Sequence, residues 1–190
     1  MGAKQIKFFE IVRELGLDVA KNNFGWLTNR VAISDGALWR MFVALDGNPE
    51  AMKSKMPRRL SPDGFLPGPN CILEFDELQH FTAFRLRTFD HYPVDTPLGF
   101  DIDAYRSWCS RYAEDALKKG QSGYRKPKRE FPFDGGRAAQ RALFDASRDL
   151  LPPHYGLQPT IRVSEFEVSS LLRDDDAAAR EVHAALSNYL

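Results

Sequence analysis

Cysteine is scarce in this chain: Cys71 and Cys109 are the only two among 190 residues. Neither their number nor their spacing makes a disulfide framework or a zinc site, so a reducing cytoplasm is the expected setting. An excess of charge is missing too. Lys and Arg together number 26, as do Asp and Glu. That balance excludes a protein that coats nucleic acid by bulk charge, but not one with a local basic patch. No run approaches the ~18 consecutive apolar residues of a membrane span, so no membrane partner is expected. A signal peptide is not expected, because Glu10, Arg13 and Glu14 break up the apolar run begun by Phe8 and Phe9. Gly2 does not open a myristoylation signal, since Ile6 stands where Ser or Thr is needed. A Gly-rich phosphate loop and a nucleophile elbow are also absent, which leaves nucleotide binding and Ser-His-Asp hydrolysis without an anchor.

Aromatics, by contrast, are plentiful, with 14 Phe in a chain that is 43% hydrophobic. That is enough for one α/β domain with some embellishment. Apolar spacing predicts helices over 4–15, 36–46, 79–90, 101–119 and 136–150, with Asp35 and Asp134 as caps and Pro152-Pro153 as a stop. Residues 160–168 read as a strand, and Asp174 to Asp176 open a last helix. The expected division is a helical N-terminal part (1–58), an α/β core (60–168) and a C-terminal helix (174–190).

The core begins with two short extended runs, 62–66 and 71–76, flanking Pro67-Gly68-Pro69-Asn70, which reads as a β-hairpin. Side chains alternate along a strand, so Cys71, Leu73 and Phe75 share one face, and Ile72, Glu74 and Asp76 the other. Two carboxylates on an otherwise apolar strand need a cation, a metal ion or water to offset their burial. Asp63, on the neighbouring run, can be brought beside Glu74. Three convergent carboxylates suit Mg²⁺ or Mn²⁺, which polarise a phosphoryl oxygen and lower the pKa of a bound water. The competing reading is a plain hairpin whose acids pair with Arg85 or Arg87.

Pro62-Asp63, then Glu74-x-Asp76 and Gln79-His80, resembles the PD-(D/E)XK nuclease superfamily. The run Glu74-x-Asp76-x-x-Gln79-His80-Phe81 is similar to the variant in small endonucleases related to very-short-patch-repair enzymes. The resemblance covers residues 62–81 directly and, by order of elements, extends loosely to about 168. It implies a restriction-endonuclease-like mixed sheet flanked by helices, with Asp63 and Glu74 holding Mg²⁺. The third motif residue departs from the pattern: Asp76 replaces the usual Lys. Asp76 would then be a further metal ligand, with Gln79 and His80 orienting water or phosphate. A Lys from elsewhere in the chain is the other way to complete the site; failing both, the domain would bind nucleic acid without cutting it, or serve as a protein-interaction domain.

Residues 118–141 carry eight basic side chains against two acidic ones, interleaved with Tyr124, Phe131 and Phe133. Lys118, Lys119, Arg125, Lys126, Lys128 and Arg129, with Arg137, Gln140 and Arg141 on the following helix, are the expected contacts to a nucleic-acid backbone, DNA being the first expectation. A solvated loop, and an Arg141–Asp145 pair on the helix, are the bland alternatives. A homodimer would let one site per chain cut both strands, but no residue marks such an interface.

Overall fold

The alternation along residues 71–76 organises the fold. In the computed structural model of the chain, which describes residues 2–119, 123–187 and 189, β2 (Cys71–Asp76) is the middle strand of a three-stranded sheet. β1 (Gly64–Leu66) pairs with it antiparallel, Gly64 opposite Leu73 and Leu66 opposite Cys71. β3 (Ile161–Ser164) pairs with it parallel, Glu74 opposite Arg162 and Asp76 opposite Ser164. A single antiparallel bridge from Ala20 to Phe65 extends the sheet beyond β1. Asn70 closes the hairpin turn with φ of 57°, a left-handed conformation that Asn tolerates better than most residues.

The two faces of the sheet have opposite chemistry. Cys71, Leu73, Phe75, Ile161 and Val163 bury one face against Phe8, Ile11 and Val12 of α1 (Ala3–Glu14) and against Ala178 and Val182 of α8 (Asp175–Ser187). Phe8 stacks on Phe75 with ring centroids 4.8 Å apart. Glu74, Asp76 and Arg162 turn to the other face, which lies against α7 (Gly136–Leu150). α7 also packs on a cluster built from α2 (Val31–Ser34), α3 (Gly36–Ala44) and α4 (Pro49–Lys53). α5 (Ala83–Phe89) and α6 (Ile102–Lys119) form a third, aromatic cluster around Phe81, Phe100 and Tyr105. The expected helical N-terminal part is therefore divided: α1 belongs to the sheet layer, while α2 to α4 pack on α7.

Asp35 caps α3 as its position predicts, accepting from the Leu38 N–H at 2.9 Å. Two boundaries and one cap differ from expectation. The helix after β2 starts as a 3₁₀ turn (Leu78–His80), and α5 begins only after Thr82, whose hydroxyl accepts from the Arg85 N–H. β3 stops at Ser164, where the Glu167 carboxylate takes the backbone N–H at 2.7 Å and turns the chain. Asp134 does not cap α7. That place belongs to Gly135 at φ 90°, and a Cβ on Gly136 would sit 2.0 Å from the Phe131 carbonyl oxygen. The Gly135-Gly136 pair is there because the basic loop passes against the start of α7. Among the described residues no helix is long and apolar enough to cross a membrane.

Candidate functional site

Asp63 and Glu74 meet across the hairpin. The Asp63 N–H donates to Glu74 Oε1 at 3.0 Å, and Asp63 Oδ2 accepts from the Phe75 N–H at 3.1 Å. These reciprocal bonds fix each carboxylate against the backbone next to the other. Each keeps one oxygen, Asp63 Oδ1 and Glu74 Oε2, outside the hydrogen-bond network of the described residues. Glu74 is 2% exposed. Burial pushes its pKa up to about 7 against the pull of Arg148, and the negative charge of Asp63 adds to the rise. The Arg148 Nε lies 3.3 Å from Glu74 Oε1, yet this buried nitrogen is not aimed to form a hydrogen bond.

Asp76 does not join that pair, which corrects the three-carboxylate expectation. Its two oxygens are 2.9 and 2.8 Å from Arg162 Nη1, and Oδ2 also accepts from the Tyr105 hydroxyl at 3.1 Å. Its Oδ1 is 2.8 Å from His80 Nδ1. Burial pushes the Asp76 carboxyl up, but Arg162 and His80 outweigh it and hold the group below the usual carboxylate range. A carboxylate so engaged has no lone pair directed at a metal ion. Among the described residues no group of three or more His, Cys, Asp or Glu side chains converges as a metal site would require.

The reason lies in residues far along the chain. Arg162 reaches from Asp76 to Asp149 on α7, Nε to Oδ1 at 2.6 Å, and donates to the Asp145 carbonyl at 3.1 Å. Arg85 and the Tyr92 hydroxyl meet the other Asp149 oxygen, both at 2.5 Å. Cation and anion thus alternate between the polar sheet face and α7, so each buried charge has a partner of opposite sign. The expected pairing of the motif acids with Arg85 or Arg87 does not form. Arg85 serves Asp149, and Arg87 pairs with Asp46 at the surface.

His80 connects this network to the open side of the molecule. Its Nδ1 faces Asp76 and, at 3.1 Å, Asp145 Oδ2. Its Nε2 lies 2.6 Å from Arg141 Nη2. A guanidinium offers only donors, so Nε2 accepts and the neutral ring carries its proton on Nδ1, towards the carboxylates. Burial and Arg141 push the imidazole pKa down, but Asp76 and Asp145 outweigh both, and it is raised. Gln79 points the same way as His80 and is held by the Glu77 carboxylate at 3.0 Å.

Two clefts open over these residues. The larger, about 620 Å³, is lined by Asp63, Gln79 and His80 together with Tyr124, Lys126, Lys128, Arg137 and Arg141. The smaller, about 280 Å³, is lined by Asp63 and Glu74 with Arg58, Arg59, Arg137, Arg141 and Arg148. Asp63, Arg137 and Arg141 belong to both, so the carboxylate pair lies where two basic clefts adjoin. The helical spacing that places Arg137, Arg141 and Arg148 on one face of α7 is realised, and all three enter the smaller cleft.

The remaining basic residues divide. Lys126 and Lys128 line the larger cleft, while Arg125 and Arg129 are exposed on the same loop, Arg125 beside Asp134 at 3.8 Å. Lys118 pairs with Glu114 on α6. The side chain of Lys119 lies outside the described residues. Gln140 is a correction: it is buried, bonded to Glu130 and Arg137, and braces the loop instead of facing a ligand. Glu130 in turn is paired with Lys55.

Sequence reasoning missed Asp149 and Arg162, gave Arg148 no role beyond its helix face, and saw Asp145 only as a partner for Arg141 on the helix surface. One signal was available. Arg162 interrupts an apolar strand, and Asp145 and Asp149 stand four residues apart on the inward side of a helix; each is a buried-charge position that demands a partner.

A model of a family of unknown function (DUF7255) matches residues 40–130. That stretch holds Asp63, Glu74, Asp76, Gln79 and His80 and leaves out α7 and β3, so it contains the motif acids but not the cations that pair with them. No curated protein and no solved structure matches the chain.

Proposed function

We propose that the protein binds nucleic acid across the two adjoining clefts and hydrolyses its phosphodiester bonds at Asp63 and Glu74 with a divalent metal ion. The observation that carries this reading is the carboxylate pair itself, fixed by reciprocal backbone bonds, with Asp63 lining both arginine-bearing clefts and Glu74 the smaller one. The sheet is compatible with it: an antiparallel hairpin bearing the acids and a parallel third strand, flanked by helices, make a small mixed sheet of the kind the motif resemblance implies.

The donor set fits a hard cation at two positions. Among the described residues Asp63 Oδ1 and Glu74 Oε2 take no hydrogen bond, and Mg²⁺ commonly takes one or two carboxylates, completing its shell with waters and phosphate oxygens. Asp76 does not fit, for the reasons above. When bound, such an ion polarises a phosphoryl oxygen and acidifies water. The chain supplies the rest. Arg137, Arg141 and Arg148 attract the backbone and offset the charge of the phosphate. His80, held by Asp76 and Asp145, keeps Arg141 aimed at the cleft. Lys126 and Lys128 extend the grip along the loop. The buried free thiols suit a reducing compartment such as the cytoplasm.

The test is cleavage of supercoiled plasmid, duplex, single-stranded DNA and RNA with Mg²⁺ or Mn²⁺, wild type beside Asp63→Asn and Glu74→Gln. Cleavage by the wild type, lost in both variants while nucleic acid still binds, is the expected result. One carboxylate pair per chain would nick a plasmid before linearising it, unless two copies act together.

A second reading, nucleic-acid binding without cleavage, is favoured by one observation: Arg148 already stands 3.3 Å from Glu74. Salt-sensitive binding with no product under any metal would select it.

A further inference from the structure

A ladder of four rings runs beside the smaller cleft. Phe65 meets Phe24 edge-on at 5.6 Å, Phe24 stacks on Trp26 at 5.1 Å, and Trp26 stacks on Tyr155 at 4.6 Å with only 5° between their planes. The ladder ends on Tyr155, which is 52% exposed. Trp26 is anchored in the α2–α4 cluster. Tyr155 ends a 3₁₀ turn (Pro152–Tyr155) whose two prolines restrict the backbone. The last ring is thus rigidly presented and half open to solvent.

The ladder adjoins the arginines. Asn23 takes a hydrogen bond from the Ser61 hydroxyl at 2.9 Å, Leu60 donates to the Leu27 carbonyl, and Arg59 bridges to Thr28. Arg148 donates to the Ser61 carbonyl at 3.3 Å. The segment 58–61, whose Arg58 and Arg59 line the smaller cleft with Arg148, therefore runs alongside the segment 23–28 that carries Phe24 and Trp26. Exposed stacked aromatics next to cations in a groove are the two elements of single-strand recognition. The cations follow the backbone and a flat ring takes a base without regard to its identity. A duplex cannot use the ring in this way, because both faces of its bases are already stacked.

We propose that the polymer accepted by these clefts is single-stranded, with a base stacked on the outer face of Tyr155 and its phosphates on Arg58, Arg59 and Arg148. This rests on the nucleic-acid reading above and names its substrate class. The test measures fluorescence anisotropy of labelled strands of one length with EDTA present: single-stranded DNA, single-stranded RNA, duplex DNA and an abasic deoxyribose-phosphate strand. Single strands of either sugar should bind tighter than the duplex and the abasic strand. Tyr155→Ala should weaken single-strand binding by roughly 5- to 160-fold, the range for one lost base–ring stack, with the duplex and abasic strands unaffected. Tyr155→Trp should restore it, because the ring and not the hydroxyl is at work. Equal affinity for normal and abasic strands, with Tyr155→Ala unchanged, would overturn the stacking proposal and leave the nucleic-acid reading intact. No binding to any strand at low salt would overturn both.

Discussion

Replacing Glu74 by Gln should stabilise the protein above pH 7 while abolishing the cleavage proposed above. Glu74 is buried, and its pKa rises from 4.5 to about 7 because desolvation outweighs Arg148. The folded state therefore binds more protons than the unfolded chain between those values. Stability falls as pH rises through this window and stays low above it. A shift of this size corresponds to about 3 kcal/mol. Gln keeps an oxygen for the Asp63 N–H but carries no charge to desolvate, so the variant should recover most of that loss. A gain of about 2 kcal/mol at pH 8 would raise the Tm by roughly 4–8 °C for a domain of this size. Urea unfolding of both proteins from pH 5 to 9 should show the curves close together at the acid end and diverging through neutrality. Adding Mg²⁺ should stabilise the wild type at pH 8 and leave Glu74→Gln unmoved. If the variant instead loses about 1 kcal/mol or more at pH 8, the Arg148 pair outweighs burial. Glu74 would then be a structural anion, and the assignment of a functional carboxylate would fail.

Other variants probe the surroundings. Arg162→Met should destabilise by about 3–5 kcal/mol in urea unfolding, because Asp76 and Asp149 would be left buried without their shared cation; a milder loss would show that water or Arg85 compensates. Arg137→Ala and Arg141→Ala should each weaken nucleic-acid binding and lower the slope of log K against log salt by about one, whereas Lys118→Ala, paired on α6 away from both clefts, should leave the slope unchanged. Gly136→Ala should fail to fold stably or lose more than about 1 kcal/mol, since its methyl would overlap the Phe131 carbonyl; wild-type stability would show that the loop can move off α7.

How far the site could be read from the sequence depended on the range of the interactions involved. The hairpin, the shared face of Glu74 and Asp76 and the approach of Asp63 follow from strand period and turn composition over 14 residues (63–76), and the fold realises all three. The single face of Arg137, Arg141 and Arg148 follows from helical period in the same way. What failed was the inference that shared direction means shared purpose. Gln140 has the right neighbours on its helix, yet Glu130, ten residues earlier, turns it into a brace. The helix start at 136 was legible, but its cap at Gly135 was missed because the close approach of the Phe131 carbonyl is a tertiary fact that no capping pattern records.

Glu74 and Asp76 show the division most clearly, because the residue types and the face are the same and only the partner differs. The parallel register sets Arg162 opposite Glu74, but its guanidinium grips Asp76 and Asp149. Asp76 is thereby neutralised and joined to α7. Among the described residues the cation that pairs with Glu74 is Arg148, whose Nε is poorly aimed and whose other nitrogens are drawn to Asp145 and the Ser61 carbonyl. One acid is held well below its ordinary range and the other well above it. A well-paired acid stabilises the layer contact and is unavailable to a ligand. A poorly paired one costs stability and remains ready for a cation that the fold does not itself supply. On this reasoning the position that departs from the nuclease motif, Asp76, fastens the sheet to the arginine-bearing helix, and the site depends on it through the placement of His80 and Arg141.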